Sequence, residues 1–224
     1  MISEKASELL NIPLKNGLYI VSTPIGNKLD ITLHALKVLK EAEFVLCEDT
    51  RKTNALLQFH GIDRKQLLIC NEHAHKGKLT HFLNITRENS VALVSDAGTP
   101  LVCDPGYDLV QMVRKAGVEI FVVPGACALV AGATLLGVNL INTTFLGFYQ
   151  KNSMKKMKEK GQYALFVAPH DMPKLVEELT KSERKWEMKI ANNVTKETQG
   201  ISIISSEEHL FAERGEIIAF VDII

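Results

Sequence analysis

The sequence predicts an α/β fold with a parallel β-sheet in the first half of the chain. Short apolar runs alternate there with segments whose apolar residues recur at helical spacing. The runs are continuously apolar, as in strands that are buried on both faces. Because strand–helix alternation is typical of parallel sheets covered by helices, we expect a layered α/β domain at the amino-terminal end.

Five apolar runs are the predicted strands of this sheet, at residues 18–22, 44–47, 67–70, 91–95 and 119–123. A helix is predicted between the first two, with apolar residues from Ile31 to Ala42 on one face and Asp30 as its N-cap. A second helix is predicted at residues 107–116, and Gly117 follows it where a glycine favours the helix end.

The pattern changes near residue 125, which predicts a first domain over residues 1–124 and a second α/β domain over 125–224. Residues 126–138 are small and apolar, which indicates a buried helix. Further strands at 163–167, 189–192, 201–204 and 216–221, with a helix at 172–180, predict a mixed sheet. The lysine-rich segment 151–160 is predicted to be an exposed helix or loop, either a patch that faces RNA or a solvated surface.

Composition limits the classes of function. The 26 basic and 26 acidic side chains cancel, so any contact with nucleic acid requires a local basic patch. The apolar runs are too short and interrupted for a membrane span, and the first residues lack a signal-peptide core. The four cysteines form no CxxC pair, and the possible metal pair His73 and His75 lacks a third ligand. We therefore expect a cytoplasmic protein without a metal site or disulfides.

Two polar turns follow the first two predicted strands, at the edge where open α/β sheets bind ligands. The segment 22–27 reads Ser-Thr-Pro-Ile-Gly-Asn and contains neither a GxGxxG motif nor a P-loop, so a ligand cradle and a simple tight turn both stay open. The segment 48–51 reads Glu-Asp-Thr-Arg. Three ionisable groups at a strand end are costly to bury unless they are paired or used, which leaves a salt-bridged loop or a catalytic one.

Two glycine- and proline-containing turns follow later strands. The segment 95–100 reads Ser-Asp-Ala-Gly-Thr-Pro, and Asp-Pro-Gly follows at 104–106. Small residues between prolines give a rigid backbone that a ligand can approach closely, so this loop is a predicted binding loop. The segment 124–128 enters the small-residue helix, where it either holds a ligand against the helix N-terminus or permits close packing.

Three ordered strings within these loops carry a resemblance to a known family. They are Leu-Tyr-Ile-Val-x-Thr-Pro-Ile-Gly-Asn at 18–27 with Asp-Ile-Thr at 30–32, Glu-Asp-Thr-Arg at 48–51, and Leu-Val-Ser-Asp-Ala-Gly-Thr-Pro-Leu at 93–101 with Asp-Pro-Gly-Tyr at 104–107. Over about residues 17–137 the chain resembles the RsmI-type ribosomal RNA ribose methyltransferases of the tetrapyrrole methylase superfamily.

The resemblance implies a class III methyltransferase fold, with two α/β domains and S-adenosylmethionine bound in the cleft between them. It also implies a homodimer that acts on 16S ribosomal RNA of the small ribosomal subunit and methylates a cytidine ribose at its 2′-hydroxyl. Contacts to the methyl donor are implied at positions in both predicted domains. They are Pro24, Ala97, Gly98, Thr99, Val102, Cys127, Ala128, Val167 and Val194.

Transfer to a ribose hydroxyl benefits from a general base, because the neutral hydroxyl is a weak nucleophile. The candidate bases are Asp30, Glu48, Asp49 and Asp96, and the sequence does not choose among them. Arg51 completes the candidate catalytic set, since its guanidinium can bind a neighbouring phosphate or hold Asp49 in place.

The second domain departs from the family pattern. Residues 166–172 read Phe-Val-Ala-Pro-His-Asp-Met where the family has Phe-Tyr-Glu-Ser-x-His-Arg, and residues 191–196 read Ala-Asn-Asn-Val-Thr-Lys where it has Ala-Arg-Glu-Leu-Thr-Lys. The Lys-Gly-Glu of the closing strand is Arg-Gly-Glu at 214–216. Two alternatives therefore stay open: a methylase of a small tetrapyrrole or corrinoid precursor, and a donor-binding homologue with altered substrate or lost activity.

Overall fold

The chain divides into two compact units, Met1–Ala126 and Cys127–Ile224. The computed structural model describes residues 3–63, 65–72, 74–157, 159–206 and 215–224. Over these ranges, no helix combines the length and the apolar character that crossing a membrane requires.

The first unit contains a five-stranded parallel sheet, which confirms the predicted fold class. Its strands are β1 (Gly17–Val21), β2 (Phe44–Cys47), β3 (Gln66–Ile69), β4 (Ser90–Leu93) and β5 (Ile120–Val123). The order is β3-β2-β4-β1-β5, so β1 lies between β4 and β5, the last two strands of this sheet along the chain. The loops after β1, β4 and β5 therefore leave the same edge of the sheet side by side.

Five helices of the first unit accompany this sheet: α1 (Glu4–Leu10), α2 (Leu33–Glu41), α3 (Thr50–Phe59), α4 (Lys76–Glu88) and α5 (Tyr107–Lys115). Apolar side chains cluster into two separate groups, which contain alternate residues of the strands and so lie on opposite faces of the sheet. Leu18 and Val91 belong to one cluster, and Tyr19 and Ala92 to the other. This double burial explains why the strands read as continuous apolar runs.

The helix boundaries are partly as predicted. The helix at 107–116 is confirmed, and Gly117 beyond it has a φ of +70°. The predicted N-cap Asp30 is wrong: Thr32 caps α2, with its Oγ1 accepting a 3.0 Å hydrogen bond from the amide of Ala35. The backbone at Asp30 is instead in the preceding turn, where its amide donates to the carbonyl of Asn27.

The second unit is built on a mixed sheet of β6 (Thr143–Phe148), β7 (Gly161–Val167), β8 (Trp186–Asn192), β9 (Gly200–Ser205) and β10 (Ile217–Ile223). The order is β6-β7-β10-β8-β9; β6 and β7 are parallel, and the other pairs are antiparallel. Helix α8 (Met172–Lys181) contributes Leu175 and Leu179 to the apolar core on one face, which encloses Trp186.

Helix α6 (Ala128–Leu136) packs on the opposite face, over β8 and β10. A Cβ atom at Gly132 would lie only 2.8 Å from Cδ1 of Ile218, so the absent side chain permits close packing. The predicted helix at 126–138 is present as α6, but the prediction that it is buried is wrong for most of its length. Within α6 only Gly132 and Ala133 are buried, while Val130 is 52% exposed, because one narrow stripe of small residues faces the sheet.

The lysine-rich segment forms the short helix α7 (Ser153–Lys156) and a following turn. Ser153 and Met157 are buried beneath it, whereas Lys155 and Lys156 are exposed. The segment thus presents Lys155 and Lys156 on the surface, while Met157 anchors it to the core. Lys158 lies outside the described residues.

Candidate functional site

The loops after β1 and β4 are joined by a two-residue antiparallel bridge. The amide of Thr23 donates to the carbonyl of Gly98 at 2.8 Å, and the amide of Gly98 donates to the carbonyl of Thr23 at 3.0 Å. The Thr23 hydroxyl is also 3.3 Å from the carbonyl of Ser95. The amide and the carbonyl of both residues take part in this bridge, so it fixes the position of one loop relative to the other.

Two hydroxyl groups form a relay that connects the loop after β5 to the loops after β1 and β4. The Thr99 hydroxyl donates to the carbonyl of Ala126 at 2.9 Å and lies 3.0 Å from the Ser22 hydroxyl. Since a hydroxyl has one proton to donate, Ser22 must be the donor in its bond with Thr99. Ser22 is buried, so the relay satisfies a polar group that would otherwise be costly.

Two glycines allow the loops to approach so closely. Gly98 has a φ of +81°, and a Cβ atom there would lie 3.1 Å from Cγ2 of Ile25 and 3.7 Å from the carbonyl oxygen of Ala126. A Cβ atom at Gly125 would lie 2.9 Å from that of Ser22. Side chains at either position would push the three loops apart.

The loop after β4, which is predicted to bind ligand, continues through an unusual backbone. Leu101 and Cys103 have φ values of +73° and +70°, and Gly106 reaches +115° at the start of α5. Left-handed conformations at non-glycine residues are uncommon and store strain. Here they occur two residues apart, and they frame Val102, whose amide donates to the carbonyl of Thr99.

The predicted donor-contacting residues of the first unit therefore belong to one hydrogen-bonded assembly, but their exposures differ. Pro24 and Gly98 are buried, Thr99 and Val102 are partly buried, and Ala97 is exposed.

The loop after β2 places charged residues at the start of α3. Asp49 is the N-cap and accepts the amide of Arg51 at 2.8 Å. The Arg51 guanidinium donates to both carboxylate oxygens of Asp49, from Nε at 3.1 Å and from Nη2 at 2.6 Å. This hydrogen bonding lowers the pKa of Asp49 to about 2, so the carboxylate stays ionised throughout the physiological range.

Asp96 connects this loop to the one after β4. Its Oδ1 accepts the amide of Asp49 at 3.1 Å, and its Oδ2 accepts Nζ of Lys52 at 2.7 Å. The structure thus brings together the predicted residues Asp49, Arg51 and Asp96. Sequence reasoning missed Lys52, and no local spacing signals it, because its partner Asp96 lies 44 residues further along the chain.

Two further carboxyl groups interact electrostatically with Asp96. Glu48 is partly buried, and its burial, followed by the charge of Asp96, raises its pKa. Asp104 lies in the Asp-Pro-Gly turn that was predicted to bind ligand but was not counted as a candidate base. Burial raises the pKa of Asp104 to about 6, and the charges of Glu48 and Asp96 act in the same direction.

Asp30 is not brought into this group. Its side chain is exposed, and no hydrogen bond or ion pair joins it to Glu48, Asp49 or Asp96 within the described ranges. Electrostatic interactions connect the other three predicted bases, Glu48, Asp49 and Asp96.

The predicted donor contacts of the second unit lie at the start of α6 and at the ends of β7 and β8. Cys127 precedes α6 as its N-cap residue, and Ala128 begins the helix; both are partly buried. Val167 ends β7 with its side chain in the apolar core at 3% exposure, so only its backbone is available to a ligand. Val194 is buried in the turn after β8, between Asn193 and Thr195, both of which have positive φ.

Of the possible metal ligands His73 and His75, His73 lies outside the described residues. His75 has a structural part in α4: its Nδ1 accepts the amide of Lys78 at 3.2 Å, which caps the helix. Arg214 of the closing-strand motif also lies outside the described residues.

Comparison with known proteins gives the site its family context. The family model described as Tetrapyrrole (Corrin/Porphyrin) Methylases matches residues 17–208. Proteins named Ribosomal RNA small subunit methyltransferase I are similar to this chain. The one from Leptospira biflexa is 38% identical over 81% of this chain and 79% of its own, and the one from Thermotoga maritima is 36% identical over 80% and 83%.

Solved structures show the same fold at low identity. A uroporphyrin-III-C-methyltransferase from Thermus thermophilus has a TM-score of 0.64 and 19% identity, and covers 93% of this chain and 94% of its own. A diphthine synthase has a TM-score of 0.71 and 14% identity, with 92% and 89% covered. The chain therefore belongs to the tetrapyrrole methylase family of S-adenosylmethionine-dependent methyltransferases.

Proposed function

We propose that this protein methylates 16S ribosomal RNA of the small ribosomal subunit, at the 2′-hydroxyl of a cytidine ribose. The observation that carries the proposal is the similarity to small-subunit methyltransferases, at 34–38% identity over about four fifths of both chains. The strings that the first unit shares with this branch coincide with the hydrogen-bonded loops at the carboxyl edge of its sheet.

The donor is proposed to bind against the loops after β1, β4 and β5. The bridge between Thr23 and Gly98 and the relay from Ser22 through Thr99 to Ala126 fix these loops before a ligand arrives. A preformed site loses little conformational entropy on binding, and it can hold the sulfonium methyl group in line with an attacking oxygen. The activated methyl group itself is the chemistry that the donor supplies.

Glu48 is proposed as the general base. The ribose oxygen attacks the methyl carbon, the carbon–sulfur bond breaks with its electron pair staying on sulfur, and the hydroxyl proton passes to the carboxylate. Asp49 is less suited, because its two oxygens accept the Arg51 guanidinium and its pKa is about 2. Asp96 is occupied by Lys52 and by the amide of Asp49. The Glu48 carboxylate takes no part in these bonds, and burial raises its pKa, which favours acceptance of a proton.

Arg51 is proposed to bind an RNA phosphate next to the target nucleotide. Its side chain is 89% exposed, although two of its donors point to Asp49. A guanidinium has five N–H donors, so three remain for a second anion. The Asp49 carboxylate would then orient the guanidinium toward the RNA.

A methylation assay tests the proposal directly. Small ribosomal subunits from cells that lack this methylation are incubated with the protein and S-adenosylmethionine labelled in its methyl group, and the RNA is then hydrolysed with alkali. A 2′-O-methyl group blocks cleavage of the following phosphodiester bond, so the label should appear in an alkali-resistant dinucleotide that begins with cytidine.

Label in mononucleotides would indicate base methylation and would overturn the ribose assignment. Label transferred to a small tetrapyrrole but not to RNA would favour the alternative substrate class. The same preparation tests two coarser expectations: sedimentation should report a homodimer, and cell fractionation should place the protein in the cytoplasm.

A further inference from the structure

The side chain of Asp96 leaves a backbone segment that is fixed on both sides. Before it, the carbonyl of Ser95 lies 3.3 Å from the Thr23 hydroxyl. After it, two backbone hydrogen bonds join Gly98 to Thr23, and the Ser95 hydroxyl donates to the carbonyl of Ala97 at 3.2 Å. The loop that is proposed to bind the donor therefore also sets the place from which the Asp96 carboxylate acts.

The Asp96 carboxylate joins this loop to the loop after β2. Its Oδ1 accepts the amide of Asp49 at 3.1 Å, and its Oδ2 accepts Nζ of Lys52 at 2.7 Å. The Asp49 amide belongs to the planar peptide group that connects Glu48 to Asp49. Asp96 thus holds the peptide group next to the Cα atom that carries the proposed base.

Lys52 lies where a helix disfavours a cation, in the first turn of α3. A helix N-terminus carries partial positive charge, so anions are favoured there and cations are not. The first turn of α3 nevertheless contains no acidic residue, while it contains Arg51 and Lys52. An aspartate binds each of these cations, Asp49 for Arg51 and Asp96 for Lys52. Departures of this kind from a local rule are expected at functional sites.

We infer that Asp96 and Lys52 are positioning residues for methyl transfer, which keep the carboxylate of Glu48 aligned with the loop that is proposed to bind the donor. The inference rests on the proposed function and deepens it, because it states how the base is held. A displacement of reacting groups by about 1 Å can slow a reaction about a hundredfold. Since both oxygens of Asp96 accept hydrogen bonds, Asp96 acts through Glu48 and not as the base.

The pair also places opposite charges near Glu48. Burial is the main cause of the raised pKa of Glu48; after it, the charge of Asp96 raises this pKa and the charge of Lys52 lowers it. The charged side chains that face Glu48 are Asp49, Lys52, Glu72, Asp96 and Asp104. Removing the charge of Asp96 should therefore lower the pKa of Glu48, and removing that of Lys52 should raise it.

Single-turnover methylation of small subunits, at saturating RNA and donor, tests the positioning. Asp96→Ala should slow transfer by about a hundredfold, because it releases both Lys52 and the amide of Asp49. Asp96→Asn should cost less, since its carbonyl oxygen can still accept that amide. Isothermal calorimetry should find the donor affinity unchanged in both variants, because the bridge between Thr23 and Gly98 remains.

The pH dependence of the rate separates positioning from a loss of structure. A base must be ionised to accept a proton, so the rate should fall as the pH drops through the pKa of Glu48. Asp96→Asn should move this fall to lower pH, and Lys52→Gln should move it to higher pH. Lys174→Gln is the matched control and should not move it: Lys174 lies 2.8 Å from an aspartate and is 66% exposed, against 2.7 Å and 64% for Lys52.

Three results would overturn the inference. A rate that no longer falls at low pH in Asp96→Asn would make Asp96 itself the base. A lower salt slope of RNA binding in Lys52→Gln, with a normal rate at saturating RNA and an unmoved pH dependence, would make Lys52 a phosphate contact. Rates that fall only in proportion to the donor bound would assign the pair to the donor site.

Carbon-13 NMR of the carboxyl groups makes the test independent of methylation. The resonance of Glu48, assigned by its absence in Glu48→Gln, reports the pKa without RNA. If the wild type methylates small subunits and the variants at Asp96 and Lys52 behave normally, only the positioning role fails. If the wild type transfers no methyl group to small subunits, the proposed function fails. Opposite shifts of the Glu48 pKa in Asp96→Asn and Lys52→Gln would then still support the action of the pair on Glu48, and an unmoved pKa would overturn it.

Discussion

The carboxyl edge of the parallel sheet and the lysine-rich segment of the second unit differ in whether their charged side chains form ion pairs. At the sheet edge, Asp49 pairs with Arg51 and Asp96 pairs with Lys52. In the lysine-rich segment, Lys155 and Lys156 are exposed and are unpaired within the described part of the chain. Paired charges hold a geometry in place, whereas unpaired charges are available to a polyanion and are sensitive to salt.

The two regions also differ in how their backbones are fixed. The loops after β1, β4 and β5 are joined by backbone bonds and a hydroxyl relay, and two of their glycines permit contacts that side chains would prevent. The lysine-rich segment is instead held by the burial of Ser153 and Met157, between exposed lysines. The first region is thus suited to a small ligand of defined shape, and the exposed lysines of the second to an anionic surface. Substitutions in the two regions should therefore change different measurements.

The largest effect is expected from Gly98→Val. The new side chain would meet Ile25 and approach the carbonyl of Ala126, which would separate the loops that we propose bind the donor. Isothermal calorimetry should detect no binding of S-adenosylmethionine. Gly117→Val is the matched control, because Gly117 also has a positive φ of +70° but has nothing within 4 Å of its absent Cβ. Donor binding that survives in Gly98→Val would remove these loops from the site.

Next in size is the effect of Glu48→Gln on the rate of methyl transfer. If Glu48 is the base, the rate under single-turnover conditions should fall by about a hundredfold or more, with donor affinity unchanged. Asp49→Asn should cost less, because it weakens the hold on Arg51 without removing the proton acceptor. A reversed order of the two variants would make Asp49 the base and would contradict the proposal.

A smaller effect is expected from replacing Lys151, Lys155 and Lys156 together by glutamine. Loss of three phosphate contacts should lower the slope of log K against log salt by about two units for a single strand, and binding should weaken for all sequences alike. Lys174, Lys181 and Lys196, which are paired with carboxylates, provide the control when replaced in the same way. An equal change of slope in both triple variants would make the effect one of net charge only.

The sequence was informative where local pattern and tertiary burial agree. The strands of the parallel sheet are buried on both faces, so their apolar runs stood out, and β2 has the predicted bounds. Helices α3 and α4 were not predicted, because their buried residues are few and polar residues surround them: α3 buries only Thr53 and Leu57. The N-cap of α2 was misplaced because Asp30 and Thr32 are both good caps and only the tertiary path decides between them.

The candidate site was predictable as a set of loops but not as a set of bonds. The motif strings located the turns, and strand order then brought the ends of β1, β4 and β5 together. No local pattern shows that Lys52 binds Asp96, 44 residues away, or that Thr99 connects Ser22 to Ala126. The bulge at Gly147, where Phe145 pairs with Ala164 and Phe148 with Phe166, could not be predicted either, since it depends on the register of the neighbouring strand.

A modest loss of stability is expected from Thr99→Val. The change removes the donor to the carbonyl of Ala126 and the acceptor for the buried Ser22 hydroxyl, which should lower the free energy of unfolding by about 1–3 kcal/mol. Thr99→Ser keeps the hydroxyl and should keep most of the stability. Urea denaturation of both variants measures the difference. Equal losses would mean that the methyl group of Thr99, and not the relay, stabilises the loops.

The smallest expected effect concerns the pH dependence of stability and the carboxyl of Asp104. The pKa of this group is about 6 in the folded chain against an ordinary value of 3.8, so between these values the folded state binds more protons than the unfolded state. The contribution of Asp104 to stability is therefore full below the lower value and is lost as the pH rises through the higher one.

Asp104→Asn removes this titration and should raise the melting temperature slightly at pH 7, with the gain disappearing as the pH approaches 4. Because the charge of Glu48 contributes to the raised pKa of Asp104, the gain should shrink when Asp104→Asn is made in a Glu48→Gln background. Thermal melts of the four proteins between pH 4 and pH 8 measure both effects. A gain that is independent of pH would mean that Asp104→Asn acts through packing, and an equal gain in both backgrounds would show that Glu48 and Asp104 do not interact. A smaller gain in the Glu48→Gln background would instead show that the two carboxyl groups interact. Asp104 would then be one of the groups that influence the pKa of Glu48, the proposed base.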